Sequence, residues 1–276
     1  MISRVHPLLA ALAMATVLTG CGNDGNSSSS SSGATNFEWT LTEGSRYTYD
    51  YSHTTETMHQ WAADEEPMRA TLLMDGSIEI IGSAADRGNL NTTNTVVRMI
   101  DYNDEGAPVD TMLQELPSNR IEGFASNGSL TGDMSGLYTN YLFPLPPDVI
   151  AQGGTSTKAF TTVAKTAEQD YDAKGTNTLT FTGFEQMNGR NCAVLTGDIV
   201  FTEVALPEGE VGERSYTVEG KGKYYFDVEN GLYVKSSVEI TTHIFVNTKI
   251  PENDGRGYFM DRVTVDSYEV NLGGTE

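Results

Sequence analysis

The feature that most constrains this chain is an alternation. From Leu232 the even positions read Leu232, Val234, Ser236, Val238, Ile240, Thr242, Ile244 and Val246, while Lys235, Ser237, Glu239, Thr241, His243 and Asn247 stand among the odd ones. A side-chain period of two belongs to a strand with one buried face. The preceding run repeats the pattern. Tyr216, Val218, Gly220, Gly222, Tyr224, Phe226 and Val228 alternate with Thr217, Glu219, Lys221, Lys223 and Asp227. Between the runs lies Glu229-Asn230-Gly231. Asn-Gly readily supplies the positive φ angles of a type I′ turn, so the two runs predict one long antiparallel hairpin.

A second hairpin is predicted at Asn188-Gly189, with arms over 176–187 and 190–204. A further strand over 258–272 changes phase: Val263 and Val265 are odd, while Tyr268, Val270 and Leu272 are even. A one-residue phase change predicts a β-bulge near Asp266. Toward the N-terminus, strands are predicted over 46–58, 71–74, 77–81, 95–102 and 138–143, with turns at Asp75-Gly76 and Asn127-Gly128. Met58 to Met68 is the best helical candidate, a short helix or a loop ending near Pro67. Strands of 12 to 15 residues span roughly 40 to 50 Å, far beyond the usual five or six residues. The expected fold is therefore all-β: a long antiparallel meander forming a curled sheet, half-barrel or barrel, with few or no helices. Pro144-Leu145-Pro146-Pro147 cannot continue a central strand, because proline lacks the ladder donor, so residues 144–154 are the candidate boundary between two halves.

The N-terminus has a different character. Arg4 precedes an apolar run from Leu8 to Leu18, and Leu18-Thr19-Gly20-Cys21 follows. The run is too short for a bilayer span of about 20 residues but suits the core of a secretory signal peptide. These four residues resemble the lipobox of bacterial lipoproteins. The resemblance implies cleavage after residue 20, acylation at Cys21, and localisation in the cell envelope. Gly22 stands where enterobacterial lipoproteins retained in the inner membrane carry aspartate, which implies the outer membrane. Residues 22–33 are rich in serine, glycine and asparagine and contain no apolar side chain. Such a tether is a flexible coil with an r.m.s. reach of roughly 20 Å. The expected organisation is a signal peptide over 1–20, a lipidated cysteine and linker over 21–33, and a β-rich domain over 34–276. Beyond the anchor, the body is similar to lipoprotein-carrier and periplasmic lipid-binding half-barrels in architecture alone.

Of the two cysteines, Cys192 lies in an apolar strand pattern and reads as a buried, inert thiol. The chain carries 38 Asp plus Glu against 17 Lys plus Arg, a formal net charge of −21. That balance argues against nucleic acid and against broad contact with anionic lipid, both of which call for basic patches.

No strong catalytic signature occurs. Gly132-Asp133-Met134-Ser135-Gly136 has the wrong spacing for a nucleophile elbow. His53 and His59 lie near Asp64, Glu65 and Glu66 without zinc-site spacing, and His243 falls on a polar strand face. The loop Asp101-Tyr102-Asn103-Asp104-Glu105-Gly106 begins like a calcium loop, but Met112 occupies the place of its final bidentate glutamate. Asn253-Asp254-Gly255 reads as a polar turn. The expectation is a protein without catalytic residues, metal or cofactor, acting as a binding module. Its candidate surface for an apolar or lipid ligand is Tyr216, Val218, Gly220, Gly222, Tyr224, Val234 and Val238, where glycines among apolar residues allow curvature or close approach. The alternative is an acidic, tethered interaction subunit with a basic protein partner.

Overall fold

The computed structural model describes residues 33–276 apart from 104, 132–135, 166–169, 206–210 and 250–256. Eleven strands make one antiparallel sheet: β1 (Arg46–Gln60), β2 (Met68–Ala84), β3 (Arg87–Tyr102), β4 (Pro108–Glu115), β5 (Asn119–Ala125), β6 (Thr155–Lys165), β7 (Asp170–Met187), β8 (Arg190–Val204), β9 (Val211–Asp227), β10 (Leu232–Lys249) and β11 (Gly257–Thr275). Their spatial order is β4-β3-β2-β1-β11-β10-β9-β8-β7-β6, with β5 pairing β3 beside β4. The sheet is curled but not closed, since β4 and β6 each have one neighbour. Apart from the β1–β11 pairing, the path is a meander, and that pairing joins the two halves of the chain into one sheet.

Local chemistry explains the hairpins. Met187 pairs with Arg190, and Asn188 and Gly189 both have positive φ, 51° and 76°, as a two-residue type I′ turn requires. The turn before β10 is longer than its Asn-Gly suggests. Asp227 pairs with Leu232 across four residues, and its carboxylate accepts hydrogen bonds from the Asn230 backbone N–H at 3.1 Å and Nδ2 at 2.7 Å. This aspartate stabilises the wider turn. A bulge at Val234 then lets Tyr233 take an inward place before the even-numbered alternation resumes at Ser236.

Besides the type I′ turn expected at Asn230-Gly231, four sequence expectations are corrected. Met58 to Met68 is not a helix, and the loop offered as the alternative is confined to residues 61–67, because β1 runs to Gln60 and β2 starts at Met68. Asp75-Gly76 is not a turn but lies inside β2. Gly76 is small because β3 bulges toward it around Asn94, and a Cβ there would approach Thr95 Oγ1 to 2.9 Å. The segment 138–143, expected as a strand, falls largely within a π-helical turn over Leu137–Leu142. No bulge occurs near Asp266, because β11 pairs without a break from Gly257 to Asn271 against β10. Even-numbered residues face inward throughout that stretch, so Asp266, Thr264 and Arg262 share the inner face with Tyr268 and Val270. Val263 and Val265 instead line a shallow outer cavity of about 370 Å³ with Met58 and Arg69.

Two segments outside the strands fill one end of the inner face. Residues 33–45 and 136–154 meet through the Thr35–Ile150 bridge. Trp39, fully buried, lies between the walls, with ring centroids 5.3 Å from Phe124, 5.6 Å from Phe143 and 5.5 Å from Tyr233. The Tyr233 hydroxyl donates to the Pro144 carbonyl, and Asn177 Nδ2 donates to the Asn140 carbonyl at 2.8 Å. The candidate boundary over 144–154 is thus tied to the sheet, with its Leu145 and Ile150 in the core. Deleting a buried ring such as that of Trp39 costs about 3–5 kcal/mol.

Candidate functional site

The inner face has a packed end and an open end. The surface singled out from the sequence belongs mostly to the packed end. Val218, Gly222, Tyr224, Val234 and Val238 are buried, while Tyr216 and Gly220 are half-buried. The room foreseen above the glycines is already occupied. The Tyr224 ring folds back over Gly222, where a Cβ would strike its hydroxyl, and a Cβ on Gly220 would lie 3.0 Å from the Ile240 side chain. Gly197, paired with Gly222, widens the same space. Here the glycines accommodate a tyrosine of the chain itself.

Away from the filling segments, the inner face is less covered. Met68, Ala70, Leu72 and Met74 of β2 share it with Val97 and Met99 of β3 and Met112 of β4. The register sets Met74 opposite Val97 and Leu72 opposite Met99, which in turn faces Met112. Met68, Met99 and Met112 are 57%, 36% and 52% exposed. Four of the chain's ten methionines therefore gather on one wall. Each is unremarkable within its own strand, so only the cross-strand register brings the wall together.

Beside the methionines runs a polar floor made by β1 and β11. His53, Thr55, Thr57 and His59 face Tyr268, Asp266, Thr264 and Arg262 across the ladder. His53 Nε2 lies 2.8 Å from Asp266 Oδ1, and the Thr55 hydroxyl donates to the same oxygen at 2.7 Å while lying 3.0 Å from the same ring nitrogen. The His53 ring stacks on Tyr268 at 4.1 Å. A nucleophile–base–orienter relay would use opposite ring nitrogens. Here both partners meet one nitrogen, an arrangement that anchors β1 to β11.

Farther along, the His59 ring lies 3.9 Å from that of Trp61, and its Nε2 is buried with no hydrogen-bond partner. Burial, and then the adjacent Arg262 cation, hold the His59 imidazolium below its ordinary pKa. Arg262 Nε donates to Thr264 Oγ1 at 3.3 Å, and no ion pair of Arg262 occurs among the described residues. Burial raises the Tyr216 phenol, with Arg262 opposing and Asp266 reinforcing the rise. Burial likewise raises Tyr51 and Tyr268.

The outer face is charged and paired. Lys221 meets Asp198 at 3.0 Å, Lys223 meets Glu185 at 3.4 Å, and His243 meets Asp261 at 2.8 Å. Among the described residues no group of three or more His, Cys, Asp or Glu side chains stands together as a metal site. In the loop that begins like a calcium site, Asn103 Oδ1 accepts from the backbone of Glu105 and Ala107, which commits it to the turn. Cys192 is buried; burial foremost, and then Asp227, push its thiol up to about 11 against the opposing effect of Arg190. Cys21 with its surrounding tetrapeptide, the 132–135 part of the serine loop, and Asn253-Asp254-Gly255 lie outside the described residues.

No family model matches the chain, and no curated protein matches it. A solved structure of lipovitellin, described for its lipid–protein interactions, is similar over 86% of this chain at 11% identity, with a TM-score of 0.45. The chain spans about a quarter, 26%, of that protein's length. A likeness at that level is too slight to set either fold or ligand.

Proposed function

We propose that this protein is a membrane-anchored envelope lipoprotein whose curled sheet binds an apolar ligand on its methionine wall. The observation that carries the reading is the contiguous patch of Met68, Leu72, Met74, Val97, Met99 and Met112, left partly uncovered beside a filled core. An exposed apolar patch on an otherwise charged protein marks a contact surface. Methionine suits varied apolar partners, because its flexible, polarisable side chain adapts to their shape. The wall lies on β2 to β4, apart from the stretch singled out from the sequence on β9 and β10: Tyr216 and Met68 are four strands apart along the row Tyr216, Ile244, Arg262, His59 and Met68. Native mass spectrometry on residues 34–276, purified without detergent, tests the reading. An added mass lost on denaturation supports a carried ligand, whereas a bare mass that acquires none from added amphiphiles counts against it.

The alternative is an acidic interaction subunit. Its motivation is the net charge of −21 together with exposed Asp64, Glu65 and Glu66 at the β1–β2 turn. It calls for a basic partner recovered from envelope extract at low salt and lost at high salt. The anchor has a separate test. Cys21→Ser should abolish labelling by radioactive fatty acid and release the protein from membranes, and persistent labelling would sink the anchor.

A further inference from the structure

We propose that the open end of the inner face selects a single-chain anionic amphiphile, with Arg262 pairing its head group and the methionine wall taking its chain. This rests on the apolar-ligand reading above and adds what the ligand's head must be. The argument begins with charge. In a chain of net charge −21, an inner-face cation such as Arg262, with no carboxylate partner among the described residues, is unusual. Arg214 is a second arginine on this face, two strands away on β9 and farther than Arg262 from the methionine wall, and the remaining inner-face charges nearby are engaged or disfavoured. Asp266, four residues along the same strand, is held by His53 and Thr55. His59, directly across the ladder from Arg262, is disfavoured as a cation by burial and by Arg262 itself. Tyr216 contributes a neutral hydroxyl. Asp261 and His243 are engaged with each other on the outer face.

Geometry supplies the second part. Arg262 faces His59, and His59 faces Met68 on the next strand, so the cation and the start of the methionine wall are two strands apart, about 10 Å. From Met68 to Met74 the wall extends roughly 20 Å along the strand, enough for an extended chain of ten or more carbons. At the far side of the wall Asp101 lies beyond Ala70 on the same face, where it would repel an anionic head. The head is thereby directed toward Arg262, away from the β4 edge. Arginine pairs with a carboxylate or phosphate through two parallel N–H bonds, and only Nε is engaged by Thr264.

The test uses residues 34–276, which hold every strand and the whole core, with decanoate and decan-1-ol below their aggregation limits. Isothermal titration calorimetry should show decanoate binding at least about tenfold more tightly than decanol. Arg262→Gln should remove that preference while leaving decanol affinity and the thermal midpoint unchanged. In the wild type, a trapped decanoate should also move the His59 imidazole titration upward in NMR, a change that a merely structural Arg262 would not produce. Equal affinities for acid and alcohol, or a preference that survives Arg262→Gln, would overturn the head-group assignment while leaving the apolar site standing. Binding of neither ligand would overturn both readings. A concentration-dependent dimer that excludes decanoate would also overturn them, by giving the wall to a second copy.

Discussion

His53 and Asp266 are 213 residues apart in sequence and 2.8 Å apart across the β1–β11 ladder, Nε2 against Oδ1. With Thr55 on the same oxygen, they cross-link the first and last strands where the two halves of the meander join. Asp266→Ala would leave two half-buried partners unsatisfied and should cost about 1–3 kcal/mol. Asp266→Asn keeps an acceptor and should cost less. Urea unfolding midpoints measure both. A loss as small as that of Asp198→Ala, on the outer face, would mean that water replaces these bonds.

Gly222 should tolerate no side chain. Gly222→Ala drives a methyl into the Tyr224 hydroxyl in a filled core, with an expected loss of about 1–3 kcal/mol. Gly274→Ala, where a Cβ meets nothing within 4 Å, is the control. Equal thermal midpoints for the two variants would show that Tyr224 has another place to go.

Asp227 gives the protein part of its acid sensitivity. Burial raises its pKa, but hydrogen bonds from Arg190 and Asn230 outweigh that and hold the carboxyl below its ordinary value. The folded state therefore binds this proton less readily than the unfolded chain does. Its contribution is complete above about pH 4 and is lost as pH falls through the folded-state value. Asp227→Asn should lower stability at pH 7 and shrink the loss between pH 5 and pH 2. An unchanged acid limb in guanidinium titrations would count against the assignment.

The Cys192 thiol should be unreactive in the folded protein. Its pKa of about 11 leaves little thiolate at pH 8, and the side chain is buried. Iodoacetamide labelling followed by mass spectrometry should be slow in buffer and rapid in 6 M guanidinium. Fast labelling of the native state would show that the β8 region opens readily.

Much of this was legible in the residues themselves. Period-two alternation over 216–246 and Asn188-Gly189 required long antiparallel hairpins, since only a strand repeats side chains every two positions and only certain residues accept positive φ. The misreadings share a cause. Asp75-Gly76 looks like a turn, but its glycine answers to a bulge on the neighbouring strand. Val263 and Val265 look like a core phase, but they face the outer cavity, because pairing with β1 and β10 fixes the face of β11. Gly220 and Gly222 look like room for a ligand, but Ile240 and Tyr224 hold that room.

The sequence by itself determined the strand period, several of the turns, the acidic balance and the character of the N-terminal tetrapeptide, because each is a property of neighbours along the chain. Tertiary structure alone decided the β1–β11 seam, the burial of Trp39 between the sheet and the segment over 136–154, the gathering of Met68, Met74, Met99 and Met112, and the placing of Arg262 across from His59. Those relationships depend on register between strands, where a shift of one residue would turn every side chain to the opposite face.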